Sequence, residues 1–227
     1  MIVSKTRDMS LSFTEENYLK TLLHLTVLTR TKSEVGTNEI ASYLELKPAT
    51  VNDMLKKLKE KQLVNYERYG KISLTESGKL AGMEIIRKHR LWETFLFKKL
   101  SFSWDEVHEV AEQLEHIQST KLVDRLDAFL DYPKVDPHGD PIPNAQGEIE
   151  IFNYKTLNDL ALGQQSQLMG VKDNTSSFLQ YVNKLGLRIG EQIELVSREE
   201  YDDLLHIRVN QQEFTVSKKF AENILDS

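Results

Sequence analysis

Between positions 38 and 74 the spacing of chain breakers and apolar residues leaves few folds open. Residues 38–44 read as a short helix, Glu45-Leu46-Lys47 is a tight connection, and Pro48 suits the first turn of the helix that follows, where its missing N–H is not needed. That helix is predicted over residues 49–60, with Val51, Met54, Leu55 and Leu58 as its inner face. Leu63, Val64 and Tyr66 then lead into a Tyr-Gly-Lys turn, and Ile72 and Leu74 return as the second arm of a small β-hairpin. Helix, tight turn, helix, hairpin is the order of a winged helix-turn-helix, whose second helix enters a major groove by its N-terminal half.

The side chains at that half suit such a role. Lys47, Pro48, Ala49, Thr50 and Asn52 stand where phosphates or base edges would be met, Lys56 lies further along, and Arg68 and Lys71 in the wing can reach the backbone. The net charge of −6 argues against nucleic acid, but it hides an asymmetry. Residues 1–90 hold 16 Lys/Arg against 11 Asp/Glu, whereas residues 91–227 hold 13 against 24. A basic N-terminal third on an acidic body implies an anionic partner for that third. The plain alternative is a three-helix core with merely solvated lysines, since the same fold also serves protein contacts.

The rest of the chain divides by pattern. Residues 12–30 read as a helix with Ser12 or Thr14 as cap and Glu15 and Glu16 in its first turn. A long helix is expected from Thr75 to Leu100 and a third from Asp105 to about Phe129. Residues 131–143, rich in Pro and Gly, form a loop. Segments 192–196, 205–209 and 214–216 alternate as strands do, with one short helix near 178–185, and suggest a small β-barrel. The fold class is thus mainly α with small β: residues 1–74 as a winged helix-turn-helix domain, 75–145 as a helical domain and 146–227 as the β-barrel. No apolar run approaches the roughly 18–20 residues of a membrane span, and the first residues lack the apolar core of a signal peptide. The cytoplasm is the expected compartment, with no membrane partner.

There is no cysteine. Zinc ribbons, iron–sulfur clusters and thiol catalysis are excluded, and any metal must take His, Asp, Glu, Asn, Gln, Met or backbone oxygen. In a helix spanning 108–116, His108, Glu112, Glu115 and His116 fall at i, i+4, i+7 and i+8 and share one face. His89 and Glu93 repeat the i, i+4 spacing one helix earlier. Imidazoles and carboxylates together suit a divalent first-row ion, manganese(II) or iron(II) above all. Such donors also occur in metallohydrolases, so a hydrolase fused to a nucleic-acid-binding module is an alternative, although no dedicated general base is apparent beyond the ligands. A DNA-binding protein with a purely structural His/Glu cluster is another.

The order of these parts resembles the diphtheria-toxin-repressor family of metal-dependent transcriptional repressors. The resemblance rests on the winged helix, Arg87-Lys-His-Arg-Leu-Trp-Glu93, residues 107–116, Pro137-His-Gly-Asp-Pro-Ile-Pro143 and the β-barrel, and it covers nearly the whole chain. It implies a non-enzymatic repressor of metal-uptake genes: a homodimer held by the helical domain, with an SH3-like (ferrous-transport-A-like) third domain, bound to a palindromic operator and activated by one or two Mn2+ or Fe2+ ions per subunit. It implies Glu112, Glu115 and His116, with Asn17 from the first helix, as a primary metal site; His89, Glu93 and His108 as an ancillary site; and Asp173 as the candidate ligand from the third domain. Members of the iron type have Cys where Glu112 stands, and those of the manganese type an acid, so Glu112 favours manganese. Asn17 stands where Met or Asp is usual and offers only a neutral carbonyl oxygen. Lys20 replaces a further Glu of the two-domain manganese members, which argues against their binuclear site.

Overall fold

The computed structural model describes residues 11–29, 31–67, 70–150 and 152–227. Two compact units emerge. One gathers the chain up to Lys88 with Glu115–Gln118 and Pro143–Glu148; the other gathers His89–Leu114, Ser119–Ile142 and Ile149–Ser227.

In the first unit, α1 (Phe13–Leu23) starts at a capping box. The Ser12 hydroxyl accepts from the Glu15 amide, and the Glu15 carboxylate accepts from the Ser12 amide at 2.8 Å, so two amides that a helix start leaves unpaired are satisfied. Tyr18, Leu19, Leu22 and Leu23 form its buried stripe. The helix widens into a π-helical turn over His24–Leu28, where the Thr26 hydroxyl donates to the Leu22 carbonyl at 2.6 Å. A continuous helix to residue 30 was expected. The described part instead ends in this wider turn, with Arg30 outside the described residues.

α2 (Thr37–Tyr43) and α3 (Pro48–Glu60) are joined through Glu45, whose φ of 55° makes the corner tight. Pro48 opens α3 as anticipated, and Val51, Leu55 and Leu58 bury its inner face. The hairpin is short: β1 (Val64–Asn65) pairs antiparallel with β2 (Ser73–Leu74), Val64 opposite Leu74. Val35 adds an isolated bridge to Ile72, with N–H···O distances of 2.9 and 2.8 Å. α4 (Glu76–Leu100) follows, its start capped by the Thr75 hydroxyl, which accepts from the Gly78 amide at 3.0 Å.

In the second unit, the later part of α4 meets two helices, α5 (Val107–Leu114) and α6 (Thr120–Phe129). Leu96 packs with Val107 and Ala111, and Leu91 with Val123, Leu126, Leu130 and Ile142. The single helix expected from 105 to 129 is thus two, because Ser119 caps a new start by accepting from the Leu122 amide. Six antiparallel strands form the sheet of this unit: β3 (Lys155–Thr156), β4 (Gln165–Val171), β5 (Gln192–Arg198), β6 (Leu205–Val209), β7 (Gln212–Val216) and β8 (Ile224–Asp226), ordered β3-β8-β4-β5-β6-β7. Irregularities in register between Leu168 and Gly170 and between Leu195 and Ser197 bend it. Leu168, Ile193, Leu195, Leu205, Ile207, Val209 and Val216 share its core with Leu179 and Val182 of α7 (Ser176–Lys184) and Phe220 of α8 (Lys218–Ala221).

Candidate metal centre

α5 ends at Leu114, so Glu115 and His116 do not continue its face; they lie on the turn that follows. The expected single stripe of four donors is therefore divided. His108 and Glu112 are exposed, whereas Glu115 is buried at 1% exposure.

Among the described residues, the second unit holds two groups of three converging donors. His89 and Glu93, one turn apart on α4, are both buried. His89 Nε2 lies 2.9 Å from Glu93 Oε1, and His108 Nδ1 lies 3.2 Å from each of these atoms. His108 Nε2 faces Glu112 Oε1 at 3.4 Å. Hydrogen bonds to Glu112 and Glu93 outweigh burial and push the His108 pKa up to about 9. Burial alone would raise the carboxyl of Glu93; the surrounding imidazoles His89, His108 and His138 overcome that and hold it well below the usual carboxylate range.

The other oxygen of Glu93 faces residues that sequence reading left in a loop. His138 Nδ1 lies 3.9 Å from Glu93 Oε2, and Glu93, Asp136 and His138 form a second group whose ligand atoms all lie within 4.8 Å of one another, as do those of His89, Glu93 and His108. His138 Nε2 lies 3.1 Å from the Trp104 carbonyl, so that nitrogen must carry the proton. Its Nδ1 is buried, has no hydrogen-bond partner among the described residues, and faces Glu93. An imidazole held at one nitrogen by a backbone carbonyl, with the other turned to a carboxylate, is oriented as a metal ligand would be. Asp136 accepts from the amides of His138 (2.8 Å) and Asp140 (3.0 Å). Burial and the nearby Asp140 and Glu93 push its carboxyl well up, against the guanidinium of Arg90. A divalent ion would remove that penalty, so the residues fit one. The sequence signal for this half was the His-Gly-Asp motif after Pro137, which composition marked only as a loop. Asp173 lies in neither group; its carboxylate accepts from the Thr175 amide.

The first unit brings Glu115 and His116 to α1. Asn17 is exposed, and it is Glu16, buried at 2%, that meets His116. Glu16 Oε2 bonds His116 Nδ1, and Glu16 Oε1 accepts from Gln118 at 2.5 Å with Lys88 Nζ 3.8 Å away. Phe13 stacks on His116, centroids 4.4 Å apart. Glu115 Oε2 accepts from Lys20 Nζ at 2.7 Å. Phe13, Glu16 and Lys20 recur at i, i+3 and i+7 on the side of α1 that meets Glu115 and His116. Glu16 and Glu115 approach His116 at different nitrogens, Nδ1 for Glu16 and Nε2 for Glu115 at 4.0 Å.

At α3, Lys47, Pro48, Ala49 and Thr50 are exposed, as a contact surface requires. Asn52 is half-buried, its side-chain oxygen accepting from Tyr66 Oη at 3.0 Å and Thr37 Oγ1 at 3.2 Å, which ties α3 to the hairpin and to α2. Lys56 is exposed and paired with Asp53 at 2.8 Å. Lys71 is exposed in the wing; Arg68 lies outside the described residues.

Three family models match: the iron-dependent repressor N-terminal DNA-binding domain over residues 10–72, the iron-dependent repressor metal binding and dimerisation domain over 75–144, and the FeoA domain over 155–225. An uncharacterized HTH-type transcriptional regulator of Methanocaldococcus jannaschii is 37% identical over 97 residues, 43% of this chain and 78% of that one. The iron-dependent repressor IdeR of Mycobacterium tuberculosis is 32% identical over 134 residues, 57% of this chain and 55% of that one. A 71-residue match to a probable metal transport system membrane protein of Chlamydia trachomatis spans 16% of that protein. Among solved structures, a manganese-dependent transcriptional repressor in complex with manganese superposes with a TM-score of 0.82 at 30% identity, covering 94% of this chain and 99% of that one. ScaR with bound Cd2+ gives 0.73 at 34% identity, covering 94% and 98%. With a helical helix-turn-helix domain, a helical middle domain and a FeoA β-domain in the order of those models, the chain belongs to the iron-dependent repressor family.

Proposed function

We propose that this chain is a metal-dependent DNA-binding repressor, a regulator and not an enzyme, that acts in the cytoplasm as a homodimer on palindromic operator DNA. The observation that carries the metal half of this reading is the pair of donor groups on Glu93, with the buried Nδ1 of His138 facing its carboxylate. His89, Glu93, His108, Asp136 and His138 hold one ion in this reading. Glu115 and His116 hold another with a carboxylate from α1, and the contact of Glu16 with His116 favours Glu16 over Asn17 for that part. The donors are hard to borderline, which suits manganese(II) or iron(II). When bound, the ion supplies positive charge that draws these carboxylates together.

The chain's own residues carry the response. Glu16 and Glu15 are neighbours on α1: Glu16 faces His116, and Glu15 accepts from Lys61 at 2.8 Å at the C-terminal cap of α3. Any ligand that favours one position of α1 against Glu115 and His116 therefore biases the helix proposed to read DNA. This is linkage between two binding events. Exposed Lys47 and Thr50 at the start of α3 and Lys71 in the wing are the proposed phosphate and base contacts, and Asn52 holds α3 in place rather than reaching out.

Gel-shift titration with Mn(II) tests the reading. Glu115→Ala or His116→Ala should abolish metal-dependent operator binding while far-UV circular dichroism stays that of the parent chain. A mutant that responds to Mn(II) like the parent removes that residue from the metal site.

A further inference from the structure

We propose that Lys20 is a built-in competitor for metal at the Glu115–His116 site, and so sets how much metal the chain needs before it responds. The inference rests on the reading above that Glu115 is a metal ligand. Lys20 Nζ lies 2.7 Å from Glu115 Oε2, and Glu115 is almost wholly buried. A buried carboxylate requires a positive partner, and here an ammonium already provides one. The other oxygen, Oε1, lies 4.0 Å from His116 Nε2, so an ion held between Glu115 and His116 would sit a few ångströms from the ammonium on Oε2, and the two positive charges repel.

The charges around the two carboxylates sharpen the point. Glu16 and Glu115 are faced by two ammoniums, Lys88 near Glu16 at 3.8 Å and Lys20 at Glu115. Each carboxylate thus already has an ammonium beside it, so a divalent ion added at Glu115 with Lys20 in place would lie close to a like charge. Of the two lysines, Lys20 is the one placed to withdraw. The Lys88 side chain is 4% exposed and enclosed, whereas that of Lys20 is 19% exposed on a flexible stem and can turn to solvent. Lys20 lies one helical turn from Glu16, so its release also frees the face of α1 that carries Glu16.

The test measures free Mn(II) by electron paramagnetic resonance during titration. It uses a background of His108→Ala with His138→Ala, which removes two imidazoles from the Glu93 centre. Lys20→Met should tighten Mn(II) binding by about ten-fold or more, because the repulsion between an ammonium and a divalent ion a few ångströms away is removed. Lys20→Arg keeps the charge and should stay close to the parent value. Without metal, Lys20→Met should lower the thermal midpoint, since Glu115 loses its partner, and added Mn(II) should raise that midpoint further than in the parent. If Lys20→Met fails to fold, Lys20→Gln serves with the same expectation. A neutral variant that binds Mn(II) no more tightly than the parent overturns the proposal, because a lysine that only supports the fold would give unchanged or weaker binding. If Glu115→Ala in the same background leaves Mn(II) binding unchanged, the site reading itself has failed, and the proposal with it.

Discussion

Single side chains in this protein are placed by burial and charge more than by type. Asp226 is an example remote from the donor clusters. It is 1% exposed, and among the described residues neither carboxylate oxygen has a close hydrogen-bond partner. Burial, joined by the like charge of Asp159, raises its carboxyl above the ordinary value of 3.8 despite Ser166 and Lys155. Because the folded pKa lies above the unfolded one, the unfolded chain ionises first. Stability is complete below about pH 3.8 and is lost as pH rises through the folded value. Asp226→Asn should therefore stabilise the protein at pH 7 by about 1 kcal/mol, and the gain should vanish near pH 3. Urea unfolding of both chains at the two pH values measures this, and equal differences at both would rule the argument out.

At the scale of elements, the junction between hairpin and α4 depends on one residue without a side chain. A Cβ on Gly78 would lie 1.9 Å from the Leu63 carbonyl oxygen, and that oxygen belongs to backbone that accepts from the Thr75 amide. Neither group can give way without parting β1 from α4. Gly78→Ala should cost about 3 kcal/mol, at the upper end of overpacking penalties, seen as a lower midpoint of denaturant unfolding. Gly82, one turn later, is the control. Its Cβ would meet the Leu23 side chain and the Leu19 carbonyl at 3.3–3.4 Å, and a helix gains about 1 kcal/mol from Ala over Gly, so Gly82→Ala should change stability by less than about 1 kcal/mol.

For the whole molecule, the electrostatic asymmetry of the chain becomes a prediction about DNA. Each phosphate neutralised by a lysine contributes about −0.9 to the slope of log affinity against log salt. Lys47→Ala and Lys71→Ala should each flatten that slope by about one unit in metal-loaded protein. Lys56→Ala should flatten it less, because Asp53 already neutralises that ammonium at 2.8 Å. Fluorescence anisotropy on a labelled operator over a range of salt concentrations reads the three slopes. An unchanged slope for Lys47→Ala would remove the start of α3 from the interface.

Much of this was legible in the residues themselves. Ser12 with Glu15, Pro48 at the start of α3, the apolar stripe of Val51, Leu55 and Leu58, and the alternation of β6 are settled by neighbours a few positions away, so sequence spacing determined them. The pairing of His89 with Glu93 was visible for the same reason, both lying on one helix. What spacing could not supply is contact between distant segments. Glu16 meets His116 across 100 positions and Lys20 meets Glu115 across 95. His138 reaches Glu93 only because folding brought its imidazole under the Trp104 carbonyl and against that carboxylate. Helix starts and strand faces follow from local backbone chemistry, whereas Coulomb attraction and desolvation act on distance in space, and only the tertiary structure decides that.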